Sequence, residues 1–428
     1  MTAAFDLGPF PSSAGYDEAV AADAVDPLRS YRDRFVDDDP SMIYLDGNSL
    51  GRLPHTAVDA VATAVRHEWG SRLIRSWNER WWSLAADVGG RIAPLIGAAA
   101  DEVIVADSTT VNLHKLATAA MTRQVGRSRV VTDDLNFPSD VHVLRSVANA
   151  AGALLQVVPS DGVHGPVAAI VDALDEDVAL LSLSATVFKS GYTYDLAAIT
   201  AAAHEVGALV LWDLSHSVGA VELDLAAADA DLAVGCTYKF LNGGPGSPAF
   251  LYVRRDLQDE LRNPIAGWWG DAEPFEFGLA HDPAPGIARF QTGTAPILSL
   301  IGAEAGVGAV GDAGIDAIAA KGRALVARVE ALADRRLAPL GVEWVSPRDP
   351  ARRGAHAALA HEQAWQICQA LIDVGRVIPD FRAPDNIRLG LSPLTTSHLD
   401  AHTAIERLAR VIEGDLAAGY PADRAAVT

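Results

Sequence analysis

Cysteine is nearly missing from this chain: Cys236 and Cys368 are the only two in 428 residues. Two thiols give no disulfide framework, and a reducing cytoplasm is the simplest home for them. Basic residues are also scarce. Lys and Arg number 34 against 55 Asp and Glu, a formal net charge of −21 that repels nucleic acid and other polyanions overall. The opening residues, MTAAFDLGPFPSSAGYDEA, have neither a basic start nor an apolar core, so they do not read as a signal peptide. No run of about 18 apolar residues is available to span a membrane. Repeats and low-complexity tracts are missing too, beyond a general richness in Ala.

Hydrophobic residues are plentiful, at 50% of the chain, which argues against disorder and supplies a large core. The length suits two domains. Short apolar runs at residues 102–106, 129–132, 154–158, 178–184, 208–212, 232–234 and 249–253 predict strands. Helical periods lie between them, among them 55–69, 195–206 and the stretches ending near 123 and 150. This alternation implies a mainly parallel sheet with helices on both faces. Beyond Pro296, predicted helices at 315–335, 361–374 and 397–412 mix with short strands at 343–345, 376–379 and 387–391, which suits a smaller α+β domain.

The chemistry gathers at the strand ends. One apolar run ends in Asp213, with His216 three residues on in D-L-S-H. The next leads to Tyr238 and Lys239 and then to the glycine-rich loop N-G-G-P-G. Open α/β sheets bind ligands at the carboxyl ends of their strands. An acid there can pair with a protonated ring nitrogen, and a lysine can form a Schiff base with an aldehyde. Pyridoxal phosphate enzymes need both groups. Either residue alone is more often an ordinary strand-end acid or a surface lysine; their conjunction points to the cofactor.

Other motifs carry two readings each. Ser and Thr in D-S-T-T-V-N-L-H, Asp107 to His114, cap a helix, and the same N-terminus can bind a phosphate. N-F-P-S-D places Phe137 at a strand end, where its face can stack on a pyridine ring. The D-G-N-S cluster after Tyr44 reads first as a turn. Arg382 and Arg388 lie in a late strand region, and Arg offers a planar fork for a carboxylate.

W-D-L-S-H-S-V-G-A-V, G-C-T-Y-K-F-L-N-G-G-P-G and the later G-W-W-G together resemble the kynureninases, a fold-type-I family of pyridoxal phosphate enzymes. The resemblance runs from about Tyr44 to about His398. Phe240 stands where the family usually has Tyr, which removes a hydroxyl and keeps the ring. The resemblance implies a large domain, residues 56–296, with a mainly parallel seven-stranded sheet. A small α+β domain, 297–428, would follow, joined by an N-terminal segment, 1–55.

By the same resemblance Lys239 holds pyridoxal phosphate, Asp213 its ring nitrogen, and Thr109 and Thr110 its phosphate. Phe137 stacks on the ring, Asp140 and Ser184 lie near it, and His216 orients it. Tyr238 is the candidate proton donor and acceptor. Trp268 and Thr294 reach the phosphate site of a neighbouring subunit in a homodimer. Arg388 takes the substrate carboxylate, with Asn48 or Ser49 near the substrate, and no metal is expected.

The implied reaction is hydrolysis of the Cβ–Cγ bond of kynurenine, plain, 3-hydroxylated or methylated, to alanine and an anthranilate. An aminotransferase of the same fold would use an identical cofactor seat, and a related lyase could act on a different aryl-keto amino acid. A cysteine desulfurase needs a nucleophilic Cys on a mobile loop, which neither Cys236 nor Cys368 suits. A non-catalytic pyridoxal phosphate-binding protein would have no use for Arg388 and Tyr238.

Overall fold

Helices cover both faces of the central sheet, so its inner strands are apolar without alternation. The computed structural model describes residues 15–424. Its strands are β1 (Ile43–Tyr44), β2 (Val103–Val105), β3 (Arg129–Asp133), β4 (Leu154–Val158), β5 (Val178–Ser184), β6 (Leu209–Asp213), β7 (Leu232–Gly235) and β8 (Phe250–Val253). They continue with β9 (Glu343–Trp344), β10 (His356–Ala360), β11 (Val377–Ile378), β12 (Asp380–Arg382) and β13 (Asn386–Gly390). Every residue of β5, β6, β7 and β8 is buried.

Seven strands form the large sheet in the order β2-β8-β7-β6-β5-β3-β4. Only β8 runs against its neighbours, β2 and β7; the other adjacent pairs are parallel. The mainly parallel, seven-stranded expectation therefore holds. Parallel pairing aligns the carboxyl ends of β3, β5, β6 and β7 along one edge, and the loops from that edge carry Phe137, Asp213 and Lys239.

A second sheet, β12-β13-β10-β9, is antiparallel throughout, and β1 pairs with β11 in a small parallel ribbon. The sequence did not predict β10. Its residues, H-A-A-L-A, contain no β-branched side chain, and pairing with β13 overrides their weak strand preference. The predicted helix at 361–374 is shorter than expected: it is α-helical over Ala364–Ala370 and then widens into a π-turn, Leu371–Gly375.

Two apolar cores back these sheets. One surrounds the large sheet; the other takes Leu325, Leu359, Ile387 and Ile405 from the C-terminal part and Ile43 and Leu45 from the N-terminal segment. The helix Ile297–Ala313, assigned from the sequence to the second domain, instead buries Leu300, Ile301, Val307 and Val310 in the first core. Two glycines allow close packing around the lysine loop. A Cβ on Gly306 would collide with the Leu241 carbonyl, and one on Gly51 with the Lys239 carbonyl. Gly51 N–H also donates to the Tyr238 carbonyl at 2.8 Å. Among the described residues no single helix is long and apolar enough to cross a membrane.

Candidate active site

Asp213 closes β6 and is held in a tight turn: its Oδ1 accepts from Ser215 N–H at 2.8 Å and from Ser215 Oγ at 2.6 Å. That turn aims the buried His216 at the loop after β7, where His216 Nε2 lies 2.7 Å from Lys239 Nζ. Burial, with the Lys239 charge, holds the His216 imidazole well below its ordinary pKa, so the ring is neutral. Tyr238 precedes the lysine. Its phenol is held above the ordinary range by neighbouring Cys236 and by burial, and so keeps its proton.

Phe137 follows β3, and its ring centroid is 5.9 Å from Lys239 Nζ. Phe188 packs edge-on against Phe137 at 5.2 Å. Asp140 lies in the first turn of the helix Pro138–Ala150. Burial, together with the charge of Asp213, pushes the Asp140 carboxyl well above the usual carboxylate range. Thr109 and Thr110 open the helix Thr109–Arg123, whose N-terminal N–H groups and dipole favour an anion. Thr110 Oγ1 is 3.3 Å from Ser139 Oγ.

The opposite wall comes from the second sheet and the N-terminal segment. Arg388 is buried on β13; its Nη1 donates to the Phe188 carbonyl at 2.5 Å and its Nη2 to Ser49 Oγ at 2.9 Å and to Asp380. Burial lowers the Arg388 pKa to about 10, which leaves it charged at neutral pH. Arg382 reaches the same Asp380 carboxylate at 2.8 Å. Asn48 is fully buried, and neither end of its amide has a hydrogen-bond partner among the described residues.

One cavity of about 250 Å³ joins these walls. Asp213, His216, Tyr238 and Lys239 line it, together with Thr109, Thr110, Phe137, Asp140, Asn48, Ser49 and Arg388. A neighbouring cavity of about 410 Å³ shares Thr109, Thr110 and Tyr238 with it and is lined by Thr294. Ser184 is the exception. It closes β5 behind the cavity wall, where its hydroxyl donates to Asn136 Oδ1 at 2.7 Å. Trp268 lies elsewhere, 42% exposed, in a cluster with Trp82, Trp269 and Phe275. Phe240 is buried against Ala220 and Ala355.

Sequence reasoning missed Ser215 and Asp380. The Ser215 contact had a local signal, an Asp followed two residues later by a hydrogen-bond donor. Asp380 had none, because its role depends on facing Arg388 across two strands.

Residues 43–362 match the aminotransferase class-V family, and residues 318–408 match the kynureninase C-terminal domain family. A kynureninase of Burkholderia mallei is 40% identical over 418 residues, 96% of this chain and 99% of that protein. The chain belongs to the kynureninase family. A kynureninase of Pseudomonas fluorescens is 39% identical over 404 residues, covering 93% of this chain and 95% of its own. Among solved structures, a cysteine desulfurase of Escherichia coli has a TM-score of 0.76 at 17% identity, covering 90% of this chain and 98% of its own. That likeness shows the fold. As a kynureninase-family member the chain is a pyridoxal phosphate-dependent hydrolase of carbon–carbon bonds.

The cavity fits that cofactor on its own chemistry. It offers one amine, Lys239, flanked by a neutral imidazole and two carboxyl groups. Asp140 Oδ2 is buried there with no partner among the described residues. A helix N-terminus, opened by Thr109 and Thr110, borders the cavity and suits a phosphate. Both cysteines are buried, and burial pushes both thiols up, away from the reactive thiolate that desulfurase chemistry needs.

Proposed function

We propose that this kynureninase-family hydrolase cleaves the Cβ–Cγ bond of L-kynurenine or a ring-substituted kynurenine, releasing L-alanine and the matching anthranilate. What supports the reading is the cavity, whose lining brings Arg388 together with Lys239 and Asp213. Bound there, pyridoxal phosphate supplies an aldehyde for attachment to an amine and a ring that takes up electrons released at Cα.

The chain supplies the rest. Lys239 is the attachment point and moves the proton at the substrate Cα. Asp213, fixed by Ser215, holds a proton on the ring nitrogen. Thr109 and Thr110 bind the phosphate, Phe137 covers one face of the ring, and Asp140 hydrogen-bonds beside it. His216 orients Lys239. Arg388 grips the α-carboxylate through its fork, with the Asn48 amide and Ser49 hydroxyl beside it. Tyr238, a protonated phenol, donates a proton to the departing carbon. Water supplies the oxygen and proton that complete the anthranilate carboxyl group and alanine.

The assembly we propose is a homodimer. Trp82, Trp268, Phe275 and Phe277 form one exposed aromatic cluster, and a patch of this kind marks an interaction site. A second copy seated there brings Trp268 and Thr294 toward the partner's phosphate site. Two buried free thiols fit a reducing cytoplasm.

Assay on L-kynurenine and its 3-hydroxy and methylated forms tests the reaction. Alanine and the anthranilate are expected in equal amounts without a keto-acid acceptor, and labelled water places one oxygen in the anthranilate carboxylate. Activity that depends on 2-oxoglutarate and yields glutamate would make the protein an aminotransferase.

A further inference from the structure

His356, the first residue of β10, is fully buried; the Val187 carbonyl is the acceptor set against its ring, and the ring has no other hydrogen-bond partner among the described residues. Its ring centroid lies 5.5 Å from that of His216, with the two planes inclined at 58°. His216 directs Nε2 at Lys239, 2.7 Å away, and leaves Nδ1 buried with no partner among the described residues. One His356 nitrogen faces the Val187 carbonyl, so His216 Nδ1 and the other His356 nitrogen are left with unmet hydrogen-bonding capacity in one buried corner. Buried polar groups in folded proteins are nearly always satisfied, so such a corner is where the rings meet each other directly or through one bound water.

The chain makes room for this ring. Gly191, at φ +78°, lies against it; a Cβ there would stand 2.9 Å from the His356 carbonyl and 3.4 Å from its Nε2. The Val187 carbonyl faces His356 from the other end of the same V-F-K-S-G run. Burial, with the charges of Lys239 and Arg388, keeps both imidazoles neutral. A neutral imidazole carries one proton, and the partner of one nitrogen decides where it sits. When His216 Nε2 accepts from the protonated Lys239 nitrogen, the ring's own proton is on Nδ1 and needs an acceptor.

We propose that His356 is a positioning residue: it accepts the hydrogen bond from His216 Nδ1, directly or through one water, and so fixes the tautomer that presents a lone pair to Lys239. This rests on the reading that Lys239 carries the cofactor. Without His356 the His216 proton is free to move to Nε2, where it would confront the lysine's own N–H. The lysine nitrogen then loses its acceptor and holds its proton less well.

The test is long-range ¹H–¹⁵N correlation of ¹⁵N-histidine-labelled, cofactor-loaded protein, with His216 assigned by loss of its signals in His216→Gln. Wild-type His216 is expected as the Nδ1–H tautomer. His356→Phe should convert it to Nε2–H and move the pH titration of the visible band about one pH unit lower. Outer-shell partners of metal-bound histidines cost roughly 10- to 100-fold when removed, and a similar tenfold loss in kcat, with KM nearly unchanged, is expected here. His356→Gln, whose amide can still accept, should restore most of each effect. An Nε2–H tautomer in the wild type overturns the proposal even if His356→Phe does not fold. So does a tautomer unchanged in His356→Phe, or a Gln variant as impaired as Phe. Failure of the underlying reading shows separately, as borohydride fixing the cofactor on a lysine other than Lys239.

Discussion

Asp380 and Arg388 stand directly opposite each other on the antiparallel strands β12 and β13 and form an ion pair with side chains only 6% and 1% exposed. Arg382 shares the same carboxylate, so one buried acid serves two guanidiniums that line the cavity. Removing one member of such a group leaves the other buried and unpaired, a loss of about 3–5 kcal/mol in comparable pairs.

Arg388→Lys keeps the charge and loses the fork. The expected result is a KM raised roughly 10- to 100-fold, from the loss of about 1.5–3 kcal/mol of charged hydrogen bonding. The visible band of the bound cofactor should be unchanged. A lost band with an unaltered KM would put Arg388 on the cofactor side instead.

Lys239 is expected to be the single attachment point. Wild-type protein should be yellow, and borohydride should bleach it while fixing the cofactor on Lys239. Lys239→Ala should be colourless and without turnover. Peptide mapping after reduction checks this, and label on another lysine would end the assignment.

Asp46 makes stability depend on pH. Burial, with the nearby Asp380 charge, pushes its carboxyl from 3.8 to about 6. The folded chain therefore holds this proton more tightly than the unfolded chain. The stabilisation is present in full below about pH 4 and is lost as pH rises through about 6. Asp46→Asn should accordingly raise the melting temperature at about pH 8, by an amount equivalent to about 1–2 kcal/mol, and leave it nearly unchanged at about pH 4. An equal effect at both pH values would rule out the ionised carboxylate as the cause.

Hybrid dimers test whether the subunits share their sites. Lys239→Ala is one inactive partner, and Trp268→Ala with Thr294→Ala is the other. In a mixed dimer one site keeps its lysine and receives intact Trp268 and Thr294 across the interface. Activity should return to about half the wild-type value per dimer, measured on hybrids separated by paired affinity tags. Inactive hybrids would mean that each subunit completes its own site.

The cofactor half of the site was legible because a parallel sheet writes it in short local motifs. Asp213 with His216, Tyr238 with Lys239, Thr109 with Thr110, and Phe137 with Asp140 are each close neighbours in sequence at or just after the end of one strand of the sheet. On the substrate side Arg388, Arg382, Asn48 and Ser49 could be named from the sequence, but not the residues that hold them. Asp380 depends on the β12–β13 register, and His356 sits in an Ala-rich run that becomes a strand only by pairing with β13. The Ser184 contact was hidden for the same kind of reason: its strand was visible, but the Asn136 amide that accepts from its hydroxyl comes from another strand's loop. Helix limits were least readable where the backbone widens into π-turns, as after Ala370.

The lysine loop is wedged between Gly51, far upstream, and Gly306, well beyond it. During synthesis the loop therefore leaves the ribosome with one jaw of its clamp made and the other still to come. Arg388 emerges later again. A nascent chain long enough to contain Lys239 has an amine but no settled place for it. Capture of the cofactor is thus tied to completion of the polypeptide, and a chain ending at Pro296 should stay colourless at cofactor concentrations that load the full-length protein.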